Sequence, residues 1–260
     1  MTITYDMPAA DYHKIEALSA SGAKMLLRSA AHYIASKQEQ REPSAAMQLG
    51  TLVHSMVLEP DTVGRLYAAA PKFDRRTTEG KARAAEFEAA SGGKTVVDMD
   101  TFQKAQRMAD AVRQHPVASK LFVGGHAEVT LQWEQYGVPC KARLDYWHPD
   151  HEIVDLKTAQ DASPEGFAKA VGNFRYHIQA AHYLEGVSQS HVTGPFKFVV
   201  VESEAPFAVA VYTLSIGSLS AGRMWLPVAA DAFRLTQGGA GNWLGYSTDV
   251  LELEVPKWAL

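Results

Sequence analysis

The sequence predicts a mixed α/β fold, and three observations predict it. Apolar residues recur at spacings of three and four through the first 115 or so positions. A period-two alternation takes over in the middle of the chain. A further helical pattern then separates those strands from two more. The expected organisation is one domain of 260 residues: a helical N-terminal part over about 12–115, a core over about 116–215, and a C-terminal helix and tail over about 216–260. No internal repeat or low-complexity linker interrupts it.

Ser21 reads as an N-cap, with Ala23, Leu26, Leu27, Ala30, Tyr33 and Ile34 on one face of the helix that follows. A second helix is expected from Ser44 to Glu59, with Ala46, Leu49, Val53, Met56 and Val57 inward and Pro60 as its stop. Gly50, His54 and Leu58 share its flanking face. Residues 71–94, with Gly80, Gly92 and Gly93 and the basic residues Arg75, Arg76, Lys81 and Arg83, read as a loop leading into a short helix. Phe102, Ala105, Ala109 and Val112 mark another helix, ended near Pro116.

The first strand alternates Ala127, Val129, Leu131 and Trp133 with His126, Glu128, Thr130 and Gln132, and Gly137 and Pro139 then turn the chain. On the second, Cys140 to Trp147, the alternation sends Lys141, Arg143 and Asp145 to one face and Ala142, Leu144 and Tyr146 to the other. After His148-Pro149-Asp150, a third strand covers Glu152 to Thr158, with Asp155 and Lys157 on one face. A long helix is expected from Pro164 to Gly186, with Phe167, Val171, Phe174, Ile178 and Ala181 inward and Gln179 and Tyr183 one turn apart. Strands Phe196 to Glu202 and Phe207 to Leu214, a helix from Ser218 to Leu235 and a tail rich in glycine and tryptophan complete the chain.

Composition narrows the function. With 47% hydrophobic and 21% charged residues, the chain is globular rather than disordered, and a net charge of -4 means that any nucleic-acid partner meets a local basic patch. Cys140 is the only cysteine, which excludes a disulfide framework and cysteine-rich metal centres and suits a reducing cytoplasm. Met1 to Ala10 lack the basic-then-apolar pattern of a signal peptide, and no run approaches the roughly 18 apolar residues of a membrane helix.

Chemistry concentrates on Asp145, Asp155 and Lys157. Facing side chains on neighbouring antiparallel strands lie about 4.5–5.5 Å apart, close enough for two carboxylates to share a hard divalent cation. Such a cation polarises a phosphodiester and acidifies a water, while a lysine offsets developing charge. Asp-x-Lys on its own is a weak signal and reads first as a solvated ion pair on a hairpin. The remaining histidines, His126, His148, His151, His177 and His182, show no zinc-like pattern and are expected in turns or on the surface.

The order of the elements, with Asp145 on the hairpin, Asp155-x-Lys157 on the third strand and Gln179-x-x-x-Tyr183 on the next helix, resembles the PD-(D/E)XK nuclease core, a restriction-endonuclease-like αβββαβ arrangement, here with an N-terminal helical extension. His54 within Gly50-Thr51-Leu52-Val53-His54 resembles the RecB-like branch. Leu18-Ser19-Ala20-Ser21, the Arg75-Arg76 to Lys81 segment, Arg143-Leu144-Asp145-Tyr146 and Tyr176-x-x-Gln179-Ala180 resemble the RecE-like 5′→3′ exodeoxyribonucleases of phages and prophages. The likeness runs from about residue 12 to Pro256-Lys257-Trp258. The proline of the family motif is absent, since Arg143-Leu144 precedes Asp145.

The resemblance implies Asp145 and Asp155 as metal ligands, joined by His54 and the Leu156 backbone carbonyl, with Lys157 catalytic and Mg²⁺ or Mn²⁺ as the cofactor. It implies that Gln179 holds the attacking water or a phosphate and that Tyr183 lines the groove. Glu128 either joins the metal shell or pairs with Lys141 or Arg143. Arg75, Arg76 and Lys81 are expected to grip DNA phosphates. The implied function is a hydrolase that resects linear duplex DNA ends, in a homo-oligomeric ring, for a single-strand annealing partner in phage-type recombination. The alternatives are a structure- or site-specific endonuclease of the same fold and a catalytically silent DNA-binding relative.

Overall fold

The structure is a computed structural model and describes residues 1–38, 42–149, 152–190, 194–238, 241, 243 and 245–255. Asp150, His151 and Pro256-Lys257-Trp258 lie outside the described residues. Strand β1 (Thr2–Thr4) leads to helices α1 (Ala9–Lys14), α2 (Ala20–Leu26), α3 (Ala30–Gln38), α4 (Ala45–Leu58) and α5 (Val63–Leu66). Strand β2 (Tyr67–Ala70), helix α6 (Thr78–Ala90), strand β3 (Thr95–Asp98) and helices α7 (Met99–Gln114) and α8 (Ala118–Leu121) follow. The core adds strands β4 (His126–Gln135), β5 (Val138–Trp147) and β6 (Ile153–Ala159), helices α9 (Pro164–Asn173) and α10 (Tyr176–Ser188), strands β7 (Phe196–Glu202) and β8 (Val209–Thr213), and helix α11 (Ile216–Gln237).

The sheet order is β1-β4-β5-β6-β7-β8, with β6 and β7 parallel and every other pair antiparallel. One face carries Leu18, Leu144, Phe198 and Phe233 in a core shared with α2, α10 and α11. The other buries Leu52, Met108, Val154 and Leu156 against α4 and α7. Among the described residues no helix is long and apolar enough to cross a membrane.

Several boundaries depart from expectation for local reasons. Ser19, not Ser21, caps α2 by accepting from the Gly22 amide at 3.1 Å. The single helix expected over 21–34 divides in two because Ser29 accepts from the His32 amide at 3.1 Å and opens α3. The loop at 71–94 leads, as expected, into a helix, the thirteen-residue α6 capped by Thr77, but β2 and β3, which were not expected, pair in parallel as a small second sheet. Ala46 is exposed on α4, whereas Leu52 is buried there.

The long helix expected over 164–186 also divides. Arg175 adopts left-handed backbone angles, φ 53° and ψ 43°, which ends α9 and starts α10 on a new register. Phe174, expected inward, is 60% exposed at this corner. His182 and His148, expected in turns or at the surface, are buried: the Nε2 atoms of their rings lie 3.1 Å from the Lys141 carbonyl and 3.0 Å from the Leu121 carbonyl.

The alternation along the hairpin breaks at the place that matters most. Leu144 packs into the first core but Tyr146 into the second, and opposite them Val129 and Ala127 divide in the same way. The breaks fall at Asp145 and at Glu128, whose φ is 53°. Strands β5 and β6 are paired only at Tyr146–Val154 and Trp147–Ile153. Beyond those pairs β5 stays with β4 and β6 stays with β7, so the sheet forks, and Asp145 and Asp155 stand where it opens.

Two outcomes follow from this packing. A Cβ on Gly222 of α11 would lie 2.3 Å from the His177 carbonyl of α10, so Gly222→Val is expected to destabilise the fold by about 1–3 kcal/mol, read as a lower urea midpoint. Burial holds the His182 imidazole down, at about 4. An unfolded histidine takes its proton near 6.5, so the unfolded state binds the proton first as pH drops. Stability from this group is intact above about pH 6.5 and declines toward pH 4, and His182→Gln is expected to flatten that part of the profile of urea midpoint against pH.

Candidate active site

Four elements meet at the fork. From β5, Asp145 points into the gap, where its Oδ2 accepts from the Leu156 amide at 2.8 Å and so replaces the ladder bond that the parting strands leave unmade. From α4, His54 reaches the same oxygen with Nε2 at 3.2 Å, while its Nδ1 lies 2.8 Å from the Gly50 carbonyl. A carbonyl only accepts, so Nδ1 carries a proton and Nε2 is the atom turned to the site. Burial pushes the imidazole down, but the adjacent Asp145 carboxylate outweighs it and raises the pKa to about 9. Burial works against charge on Asp145 too, yet His54 and Lys157 hold its carboxyl below the usual range.

From β6, Asp155 is fully buried, and its Oδ2 is paired with the ammonium of Lys157. Its Oδ1 accepts from Nε2 of Gln179, on α10, at 2.6 Å. Burial, with Asp145 adding to it, pushes the Asp155 carboxyl up. Lys157 lies 5.0 Å from the centre of the Tyr176 ring and is held charged, because the two carboxylates outweigh its burial. The structure thus brings His54, Asp145, Asp155, Leu156, Lys157 and Gln179 together. Tyr183 is partly buried beside Gln179, with its ring 6.2 Å from that of Phe196.

Other expected residues lie elsewhere or are engaged. Glu128 falls opposite Asp145 in the strand register, but its carboxylate is paired with Arg143, which also donates to the Met7 carbonyl at 2.6 Å. Lys141, the other partner considered for it, is buried and donates to the carbonyls of Tyr12 and Ile15, each at 2.8 Å. Arg75 pairs with Glu88 at 2.9 Å and Arg76 with Asp74 at 2.9 Å, on the exposed segment that leads into α6 and Lys81.

One contributor was missed. Lys24, on α2, donates to Oε1 of Gln179 at 3.3 Å and so holds the amide whose other end holds Asp155. Burial, then Lys157, lower its pKa to about 8. The Leu18–Ser21 motif just before it marked the segment, but no local spacing singled out the lysine.

The donor set suits a hard cation. It offers two carboxylates and an imidazole whose far nitrogen is oriented by a backbone carbonyl, the arrangement that aims a histidine at a metal. Among the described residues no three His, Cys, Asp or Glu side chains converge as a ready-made cage. A cation bound by one or two carboxylates and completed by waters and phosphate oxygens is the mode that Mg²⁺ adopts.

The fold and family agree with this geometry. A crystal structure from Eubacterium rectale, described as a "putative exonuclease", superposes with a TM-score of 0.66 over 97% of each chain at 16% sequence identity, a likeness of fold. No curated protein matches the chain. Residues 19–225 match a family model that takes in Asp145, Asp155, Lys157 and Gln179, and the chain therefore belongs to the family described as PDDEXK-like domain of unknown function (DUF3799).

Proposed function

We propose that this chain is a metal-dependent nuclease that hydrolyses phosphodiester bonds in DNA, acting as a 5′→3′ exonuclease on linear duplex ends. The observation that carries the reading is the fork, where parting strands bring together Asp145, held by His54 and the Leu156 amide, and Asp155, paired with the charged Lys157. The family match and the fold likeness support it. The RecE-like motifs supply the polarity and the link to recombination.

The residues that would hold the cation are Asp145, Asp155, His54 and the Leu156 carbonyl. A bound Mg²⁺ or Mn²⁺ would polarise the phosphate and lower the pKa of a water. Lys157 places a fixed positive charge beside Asp155, where it orients a water and offsets negative charge that builds on the phosphorus oxygens. Gln179 fixes the rotamer of Asp155 and is itself fixed by Lys24. Asp145 keeps the fork open while presenting an oxygen to it.

The wider reading is that of the family motifs. Arg75 and Arg76, after exchanging their carboxylate partners, and Lys81 contact backbone phosphates, and Tyr183 walls the site. The chain acts as one nuclease domain in the cytoplasm of a phage- or prophage-bearing cell, assembles as a homo-oligomeric ring on DNA and hands its single strands to an annealing protein. Such a ring suits a chain of net charge -4, which gains little from diffuse attraction to DNA.

Linear, nicked and closed-circular DNA incubated with Mg²⁺, and then with chelator, are expected to show loss of the linear form alone and only with metal. Cutting of closed circles would replace the exonuclease reading with an endonuclease. Asp145→Asn and Asp155→Asn are expected to abolish cleavage. The asparagine at 155 keeps an acceptor for Gln179, whereas Asp155→Ala strands a largely buried ammonium and is expected to cost about 3–5 kcal/mol of stability by urea unfolding. Lys157→Ala is expected to bind DNA yet cut about 10²- to 10³-fold more slowly, and full turnover with saturating metal would remove its role.

A further inference from the structure

A cavity of about 840 Å³ opens beside Lys157 and runs between the start of α4 and helix α9. Its volume lies within the range of small-ligand sites, about 300–1,000 Å³. Lys157 and Tyr176 form its inner end, Ala45 and Leu49 one apolar wall, and Phe174 and the exposed Lys169 border it on the α9 side. Phe174 is the least expected of these. It is a large apolar side chain, 60% exposed, at the corner where Arg175 takes left-handed backbone angles that side-chain-bearing residues avoid.

That corner gives the aromatic side chains a direction. The Phe174 and Tyr176 rings lie 5.5 Å apart at 30°, and the Lys157 ammonium lies 5.0 Å from the Tyr176 centroid. An exposed ring therefore leads, through one half-buried ring, to the cation that faces the scissile phosphate in the nuclease reading. A base inside a duplex offers only its edges to the grooves, and its face becomes available when the base leaves the stack. Flat aromatic surfaces beside a phosphate-facing cation are what unpaired nucleotides bind.

We propose that this cavity is a subsite for unpaired nucleotides and that Phe174 is the platform on which a base of the attacked strand stacks. The enzyme then acts on a strand separated from its complement at the site of cleavage, whether a single strand or a frayed duplex end. Lys169 lies where the backbone of that strand leaves the cavity. Phe174 touches the substrate and positions it, while the chemistry stays with the residues of the fork.

This assignment rests on the nuclease reading, and the test separates the two. Affinity is measured in chelator for a fluorescent single-stranded oligonucleotide and for a closed, hairpin-capped duplex of the same length, using the full chain. Phe174→Ala is expected to weaken single-strand binding about 5- to 150-fold, the stacking contribution of one base, and Phe174→Trp to preserve it. Closed-duplex binding is expected to stay within about twofold. Because Phe174 is exposed, melting temperatures are expected to be unchanged. Should the alanine variant unfold, Phe174→Leu, which keeps apolar bulk without a ring, replaces it in the same comparison. Single-strand affinity unchanged in the ring-less variant, or equal losses for both ligands, overturns the subsite. If the wild type cuts linear DNA with Mg²⁺ while either result holds, the subsite alone falls. If the wild type neither binds nor cuts DNA, the nuclease reading falls with it.

Discussion

The arrangement depends on one hydrogen bond, from the Leu156 amide to the Asp145 carboxylate. Where β5 parts from β6, a backbone donor inside the protein loses its ladder partner, and a buried donor left unpaired costs about 1–3 kcal/mol. A side chain from the departing strand supplies the acceptor. The carboxylate that makes the fork tolerable is therefore also the one that faces His54, so the break in the sheet and the polar site are one feature. A regular ladder through Asp145 and Asp155 would close the gap in which they meet.

Charge at the fork is arranged in pairs. Asp155 is fully buried and its paired cation is Lys157, with Gln179 donating to its other oxygen, while Asp145 has His54. Gln179 and Lys24 extend the network outward, so that both carboxylates are oriented by a neighbour from another element, Asp145 by His54 and Asp155 by Gln179. A network satisfied in this way is rigid, which is what a reaction needing exact placement of phosphate and water requires. The Glu128–Arg143 pair beside it keeps a third carboxylate from adding negative charge to a site that already holds two.

Most elements were legible because burial on one face imprints its period on the sequence. The capped helices α4 and α7 and the strands β4 to β7 lie close to where apolar spacing puts them. The failures share a cause. β2 and β3, four residues each, are too short to show a period. The single long helix expected over 164–186 was wrong because Phe174 continues an apolar stripe in sequence while Arg175 turns the chain in space. The alternation along β5 was wrong at Asp145 because a fork, unlike a regular strand, changes the face that follows it.

By itself, the sequence determined the mixed α/β class, and its resemblance to the PD-(D/E)XK nucleases singled out Asp145, Asp155, Lys157, Gln179 and His54. Only the tertiary structure decided how those groups are used. Lys24 meets Gln179 across 155 positions, His54 meets Asp145 across 91, and Glu128 goes to Arg143 rather than into the site. Local spacing records which side of an element is buried. Which distant side chain waits on that side depends on how helices and strands pack, and on where a sheet stops being regular.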